Sequence, residues 1–475
     1  MLPCFCYYRI SGERGNQLVN TEEQIAKYIA NLPYEDLPID VVDSTKKFIV
    51  DTLGVAIAGS NYSICGSIAD QARSWGGKEE STVLVYGDRV PCHHAAMANA
   101  TMARALDFGG VYEKTATHPN ETVIPVALAL AEREKASGED VIIAVTLGID
   151  LTCRLKGAVK KTRGFVGESL FGGSAVTARI LKLDEGKTLN ALGIAYCLVA
   201  GTYQMVLENV SYLHLCHGMR SATGILSGFF AQQGVTGPRD FLEGDYGLYN
   251  TYENREDCDP SELIRDLGER FESVNVSIKP YPTCKFTHAA IYCTLELMSE
   301  QKVRPGDVDE ITVGLNHLAY QLTGAPKDEK RRPQQPIEAQ FSIPYLVGTA
   351  VINRDVLIEH VTESHWLNKP DILKMAERVK CHIDNEVERE YCDTGSMGAK
   401  VTIRTREGNT FEKRIDAVIG HPDNPLSFDQ VVEKFRKCVL HAARPLPQTN
   451  IEEAIDMLSN LEKVRDFSGL CGLLA

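Results

Sequence analysis

The chain reads as mainly α: a large all-helical domain into which a smaller α+β lid domain is inserted. Three observations carry that expectation. Apolar residues recur at helical spacing through most of the first 270 residues, alternating strand-like segments begin only after Arg270, and helical character returns from Phe428. At 475 residues the chain is longer than one hydrophobic core usually supports, so two domains are expected. Their predicted bounds are 18–274 with 416–475 for the helical domain and 275–415 for the lid.

The elements follow in order. Thr21 and Gln24 have the spacing of a capping box that opens a helix towards Leu32. A second helix is predicted from about Pro38, with Val41, Val42, Phe48, Ile49, Leu53 and Ala56 on its apolar positions and a stop near Gly59. From Cys92 to Leu106 the chain is dense in alanine, which favours helix and lets neighbouring helices come close. Further helices are expected at Val123–Lys135, Val141–Leu155, Ser174–Leu183, Thr188–Ala200 and Arg220–Gln233, with Gly138, Gly186 and Gly234 as punctuation. After Arg270, strands are predicted at Asp309–Gly314 and Val379–Ile383. Ala399–Thr405 and Thr410–Ile415 form a hairpin around Glu407–Gly408–Asn409. Helices at His288–Glu300 and Ser342–Ala350 lie among them.

Composition narrows the functional classes. A net charge of −14 argues against nucleic acid or an anionic membrane surface as the main partner. No run of 18 apolar residues is free of charge, so no membrane span is expected. The fourteen cysteines include no CxxC, and several lie in apolar stretches, as Cys197 does. Buried, reduced thiols in a cytoplasmic protein are the expectation. Cys4 and Cys6 give only a weak hint of metal. Met1–Gly15 reads as a short appendage, with a transit-like leader, and so a mitochondrial location, as the alternative.

Standard catalytic signatures are missing. No two glycines are spaced G-x-G, and there is no P-loop, GxSxG or HExxH. Two clusters remain. In the first, Asp107 ends the alanine-rich helix and Thr117–His118–Pro119 follows after a turn. A histidine there suits general acid–base work, with a carboxylate to orient it; the plainer reading is a helix-end polar residue and a satisfied loop histidine. The second cluster runs from Lys279 through Tyr281, Lys285 and His288, on a proline-stiffened loop that enters a helix. It suits carboxylate binding, or is a solvated basic turn. Cys92–His93–His94 and the pair His214 and His217 are weak metal signals, and structural histidines are the better reading of His93 and His94, because adjacent helix residues diverge.

These clusters together resemble the MmgE/PrpD family, over nearly the whole chain. The helix ending Leu106–Asp107–Phe108, then Thr117–His118–Pro119 with Val123–Ile124–Pro125, is similar to the family's T-H-P…V-[IL]-P segment. Lys279–Pro280–Tyr281–Pro282 with Lys285–Phe286–Thr287–His288 resembles its K-x-[YF]-P…[RKH]-x-x-H loop. Ala339–Tyr345 and Gly420–His421–Pro422 with Asn424–Ser427 add two further likenesses. The resemblance implies a cofactor-free site between a helical domain and a lid, no metal, and a homodimer. It also implies a small di- or tricarboxylate as substrate. Asp107, His118 and Lys279 would be catalytic, and Thr117, Tyr281, Lys285 and His288 substrate-binding. The expected activity is a lyase that moves a proton beside a carboxylate, dehydratase-like. Epimerisation of a dicarboxylate such as iminodisuccinate, cis-aconitate-type decarboxylation and a non-catalytic binding role are the alternatives. This chain departs from the family pattern at Gly109–Gly110–Val111, at Gly164–Phe165–Val166–Gly167, which lacks a histidine, and at His214, where the family has lysine.

Overall fold

The computed structural model describes residues 20–208 and 210–475. Cys4, Cys6 and the Met1–Gly15 segment lie outside the described residues. The first helix, Thr21–Asn31, is capped one residue earlier than expected. The Asn20 side chain accepts the Glu23 N–H at 2.8 Å, while the Thr21 hydroxyl donates to Glu243. Asparagine is as good a cap as threonine or better, and Thr21 is left free for a tertiary bond.

Ile39–Gly59 is buried on all sides from Phe48 onward and forms the axis of the helical layer. The alanine-rich helix, Cys92–Ala105, packs against it and against Tyr212–Gln232. Small residues make this approach possible. A Cβ on Gly59 would stand 2.0 Å from the Met102 carbonyl oxygen, and one on Gly218 2.5 Å from that of Met97. Asn120–Glu134, Gly138–Gly157 and Ser169–Ile180 complete the apolar interior, with Glu185–Leu198 beside them. Gly138 and Gly186 are not breaks between helices: they sit in first turns, behind the caps Ser137 and Asp184. Gly234, at φ 90°, does follow a helix end. Cys197 is exposed rather than buried, because it falls in the outward-facing last turn of Glu185–Leu198.

The strand signals resolve into one four-stranded sheet. Its order is Val379–Ile383, Val308–Leu315, Ala399–Thr405, Thr410–Ile415, the first pair parallel and the others antiparallel. The hairpin pairs Ala399 with Ile415 and Arg404 with Thr410, and Gly408 supplies the left-handed turn residue at φ 88°. Ala399, Val401 and Ile403 face a second apolar cluster, shared with His288–Glu300 and Ile343–Asn353. Phe428–Val439, opened by a Ser427 and Gln430 capping box, returns to the first layer. There Phe435 Cα would be 3.0 Å from a Cβ on Gly54, in the middle of Ile39–Gly59. Among the described residues no single helix is long and apolar enough to cross a membrane.

Candidate active site

Two short crossings of the chain build the site. The alanine-rich helix stops at Ala105, and Asp107 adopts a left-handed conformation at φ 47° that turns the chain. Aspartate tolerates this region better than most residues. Val111–Tyr112 then pairs antiparallel with Val276–Ser277, Val111 opposite Ser277. That ladder brings the segment after Asp107 alongside the segment leading to Lys279. Ala116, also left-handed at φ 54°, reverses the chain, and Pro119 leads into Asn120–Glu134 with His118 just outside the helix.

Asp107 sits between two buried cations. It is ion-paired to Arg104, one turn back on the helix, and its Oδ1 lies 3.0 Å from Lys279 Nζ. The same ammonium donates to the Asp107 carbonyl at 2.8 Å. Burial alone would raise the Asp107 carboxyl, but Arg104 and Lys279 outweigh it and hold it well below the usual carboxylate range. Burial lowers the Lys279 ammonium, with Asp107 opposing.

His118 Nδ1 lies 3.2 Å from the Gly110 carbonyl and 3.3 Å from Glu121 Oε1. A carbonyl only accepts, so the neutral ring carries its proton on Nδ1 and keeps the Nε2 lone pair. Burial and then Arg104 lower the His118 pKa from 6.5, while Glu121 opposes. The ring is therefore a neutral base at neutral pH. When it takes a proton, the wholly buried Glu121 carboxylate stands ready to stabilise the imidazolium.

A cavity of about 550 Å³ opens beside these groups, a volume in the range of small-ligand sites. Arg104, Asp107, Thr117 and His118 form part of its wall, with Lys156, Ser169, His217 and Arg220 from neighbouring helices. Cys284, Lys285, Phe286, Phe341 and Met397 close the other side. Lys285 is paired with Glu113 at 2.9 Å, and Lys156 with Glu168 at 2.8 Å. Glu113 also accepts a hydrogen bond from Ser277. His217 Nδ1 is 2.9 Å from the Thr122 hydroxyl, which in turn donates to Ser169 at 3.0 Å, so Nδ1 is the donor and Nε2 is unprotonated. Burial, then Arg220 and Arg104, keep His217 neutral, well below 6.5.

The structure thus brings Asp107, Thr117, His118 and Lys285 to one cavity. Lys279 stands behind Asp107, fully buried, and is absent from the wall. Tyr281 and His288 are not on the wall either. His288 Nε2 bonds the Thr283 carbonyl at 3.1 Å, and its ring meets Tyr281 edge-on at 5.4 Å, within the protein interior. His214 and His217 part company: His217 faces the cavity, while His214 packs edge-on against Tyr62 at 5.2 Å. The rings of His93 and His94 meet at a tilt, 4.2 Å between centroids, and His94 meets Trp75 in the same way at 5.0 Å. Among the described residues no group of three or more His, Cys, Asp and Glu is placed to hold a metal ion.

Sequence reasoning passed over Arg104, Glu121, Arg220 and Lys434. Arg104 had a signal, being the one charged residue in the alanine-rich helix and three residues before Asp107. Lys434 is the least expected. From Phe428–Val439 its Nζ reaches Asp51 at 2.6 Å and the carbonyls of Phe108 and Lys279, each at 2.9 Å. It also lies 3.7 Å from the Phe108 ring centroid. One ammonium therefore clamps both site segments from behind. Its partner Asp51 interrupts the apolar run from Phe48 to Leu53, which is the trace it leaves in the sequence.

The helical layer thus carries a cation-lined cavity with a neutral histidine in its wall, a lining whose chemistry suits a compact anion. The chain belongs to the MmgE/PrpD family: residues 23–261 match the MmgE/PrpD N-terminal domain and residues 281–460 the MmgE/PrpD C-terminal domain. Among curated proteins it is similar to the cis-aconitate decarboxylase of Homo sapiens, 27% identical, covering 96% of this chain and 95% of that protein. The cis-aconitate decarboxylase of Mus musculus is 25% identical, over 96% of this chain and 94% of its own. That of Aspergillus terreus is 23% identical, over 95% of each.

Proposed function

We propose that this protein is a lyase that acts on a small di- or tricarboxylic acid by moving a proton at the carbon beside a carboxylate. The observation that carries the reading is a neutral His118 facing a cavity ringed by buried cations, in a chain of net charge −14. An overall acidic molecule that concentrates buried arginine and lysine around one cavity has a local field suited to an anion.

His118 is the proton carrier in this reading. Its Nε2 takes a proton from the substrate carbon, or, once protonated, delivers one to it, and Glu121 stabilises the charged ring. The electron pair left on carbon spreads into the adjacent carboxylate as an enolate-like charge, which the Arg104 guanidinium and Lys285 ammonium stabilise. Thr117 and Lys285 contact the substrate. Asp107 and Lys279 are positioning residues that fix Arg104 and the floor of the site. The names of the relatives favour loss of carbon dioxide from cis-aconitate, in which the bond from the saturated carbon to its carboxylate breaks, that electron pair moves into the adjoining C–C bond, and the pair of the old double bond takes the proton that protonated His118 delivers. Loss of water is the second reading: the missing histidine at Gly164–Gly167 weighs against both outcomes, and less against this one. Every step uses side chains of the chain itself, and a cytoplasmic homodimer belongs to the same proposal.

The test is product analysis by mass spectrometry and by optical rotation after incubation with cis-aconitate, citrate, 2-methylcitrate and a single enantiomer of iminodisuccinate. Loss of carbon dioxide or of water from one of them establishes the lyase and names the reaction. Racemisation without mass change would make it an epimerase. Four unchanged substrates that nonetheless bind would make it a binding protein.

A further inference from the structure

Four buried cations line the cavity: Arg104, Lys156, Arg220 and Lys285. Three are ion-paired to protein carboxylates: Arg104 to Asp107, which it shares with Lys279, Lys156 to Glu168 and Lys285 to Glu113. Arg220 has no carboxylate partner among the described residues, and its Nη2, out of reach of solvent, makes no hydrogen bond. The residue is only 7% exposed. A buried guanidinium with an empty donor is costly unless an anion completes it. Helix Tyr212–Gln232 carries Arg220 three residues beyond His217, so both project from one face into the cavity. The guanidinium rests beside the chain at Gly201, where an added Cβ would be 3.6 Å from Nη2 and 3.6 Å from Met205 Cε. Gly201, at φ 114°, leaves that flank without a side chain. Arg220 therefore enters from a different wall than Asp107 and His118, which come from the end of the alanine-rich helix and its following loop.

We infer that Arg220 is the cavity's receptor for a substrate carboxylate remote from the reacting carbon, and that it selects a compact tricarboxylate over a dicarboxylate. This rests on the carboxylate-lyase reading above. The planar fork of a guanidinium matches a carboxylate in two parallel hydrogen bonds. Arg104 Nε also lacks a hydrogen bond, but the other buried cations of the wall are each ion-paired to a protein carboxylate, so Arg220 is the one among them whose charge has no such partner. Nothing in the sequence marks Arg220 beyond its place at the start of the helix expected at Arg220–Gln233.

The test is isothermal titration calorimetry of the full chain with two unreactive probes, tricarballylate and glutarate, on the wild type, Arg220→Met and Arg220→Lys. Arg220→Met is expected to weaken tricarballylate about 10- to 100-fold, the size of a charged hydrogen-bonding contact, while glutarate changes by less than about threefold. Arg220→Lys should recover part of the loss. Ligand-free Arg220→Met should melt at or above the wild-type temperature, because it removes an unpaired buried charge. A guanidinium that merely held the fold together would lower it. Equal weakening of both probes, unchanged tricarballylate binding or a lowered ligand-free melting temperature overturns the inference. Should the wild type bind neither probe, the carboxylate reading falls as well. Should it bind tricarballylate with Arg220→Met unaffected, only the role of Arg220 falls.

Discussion

Asp107 holds two cations at once, and that arrangement sets what its loss would do. Replacing it with asparagine leaves Arg104 and Lys279 buried without a counter-charge, so Asp107→Asn is expected to cost about 3–5 kcal/mol in urea unfolding. His118 carries the opposite expectation. It keeps 18% of its side-chain surface and is tied by a single backbone acceptor beside Glu121. His118→Asn should therefore fold normally and lower kcat by about 10²- to 10⁴-fold, the range for a lost acid–base group. Its pKa is lowered below 6.5, so a reaction that begins with proton removal should be flat in kcat/KM from pH 7 to 8 and fall below pH 6.5, whereas loss of carbon dioxide from cis-aconitate, which needs the protonated ring, should quicken as pH falls from 8 towards 6.5. At this scale the sequence was legible where residues cluster in short motifs, as Asp107, Thr117 and His118 do. Arg104 and Arg220 were not, because a lone cation inside a helix looks the same whether it faces solvent or a cavity.

Secondary-structure elements position these residues through close backbone contact. Strand alternation read the sheet to within a residue or two, since a period of two on a half-buried sheet leaves little freedom. Helix starts were read three to eight residues late at Asn120, Ser169 and Tyr212. Their first turns are polar or lack apolar periodicity, and only tertiary packing makes them helical. The two-residue ladder between Val111–Tyr112 and Val276–Ser277 was not foreseen at all, because so short a strand has no periodicity to detect. Gly59 tests the tightness of the helical layer. Its missing Cβ would meet the Met102 carbonyl at 2.0 Å, so the two helices must separate to admit a methyl group. Gly59→Ala is expected to destabilise by at least about 1–3 kcal/mol, read as a lower urea midpoint with an unchanged m-value. Lengthening the spacing there would also move Arg104, in the last turn of the alanine-rich helix, and Asp107, just beyond its end.

Over the whole molecule, burial of neutral histidines links stability to pH. His214 is pushed down to about 4 by burial and by Arg104, and His217 and His288 lie well below 6.5. In the unfolded chain all three take protons near pH 6.5, while the folded chain resists, so stability is full above that pH and declines as pH falls. For His214 the drop from 6.5 to about 4 corresponds to about 3 kcal/mol lost across that window. Melting temperature followed from pH 7 to pH 4.5 should fall steadily, and a flat profile would mean these histidines are charged in the folded state. The overall charge of −14 and the cation-lined cavity belong together: acidic residues over the molecule, buried cations gathered around the cavity proposed to take the substrate. The central claim is that His118 exchanges a proton with substrate carbon in that cavity. Its most direct measurement is proton NMR of the wild type and His118→Asn with cis-aconitate in D₂O. The account predicts a wild-type product carrying solvent deuterium on carbon, and no such product from the variant. Equal turnover by the variant, or a wild-type product without deuterium on carbon, would contradict it.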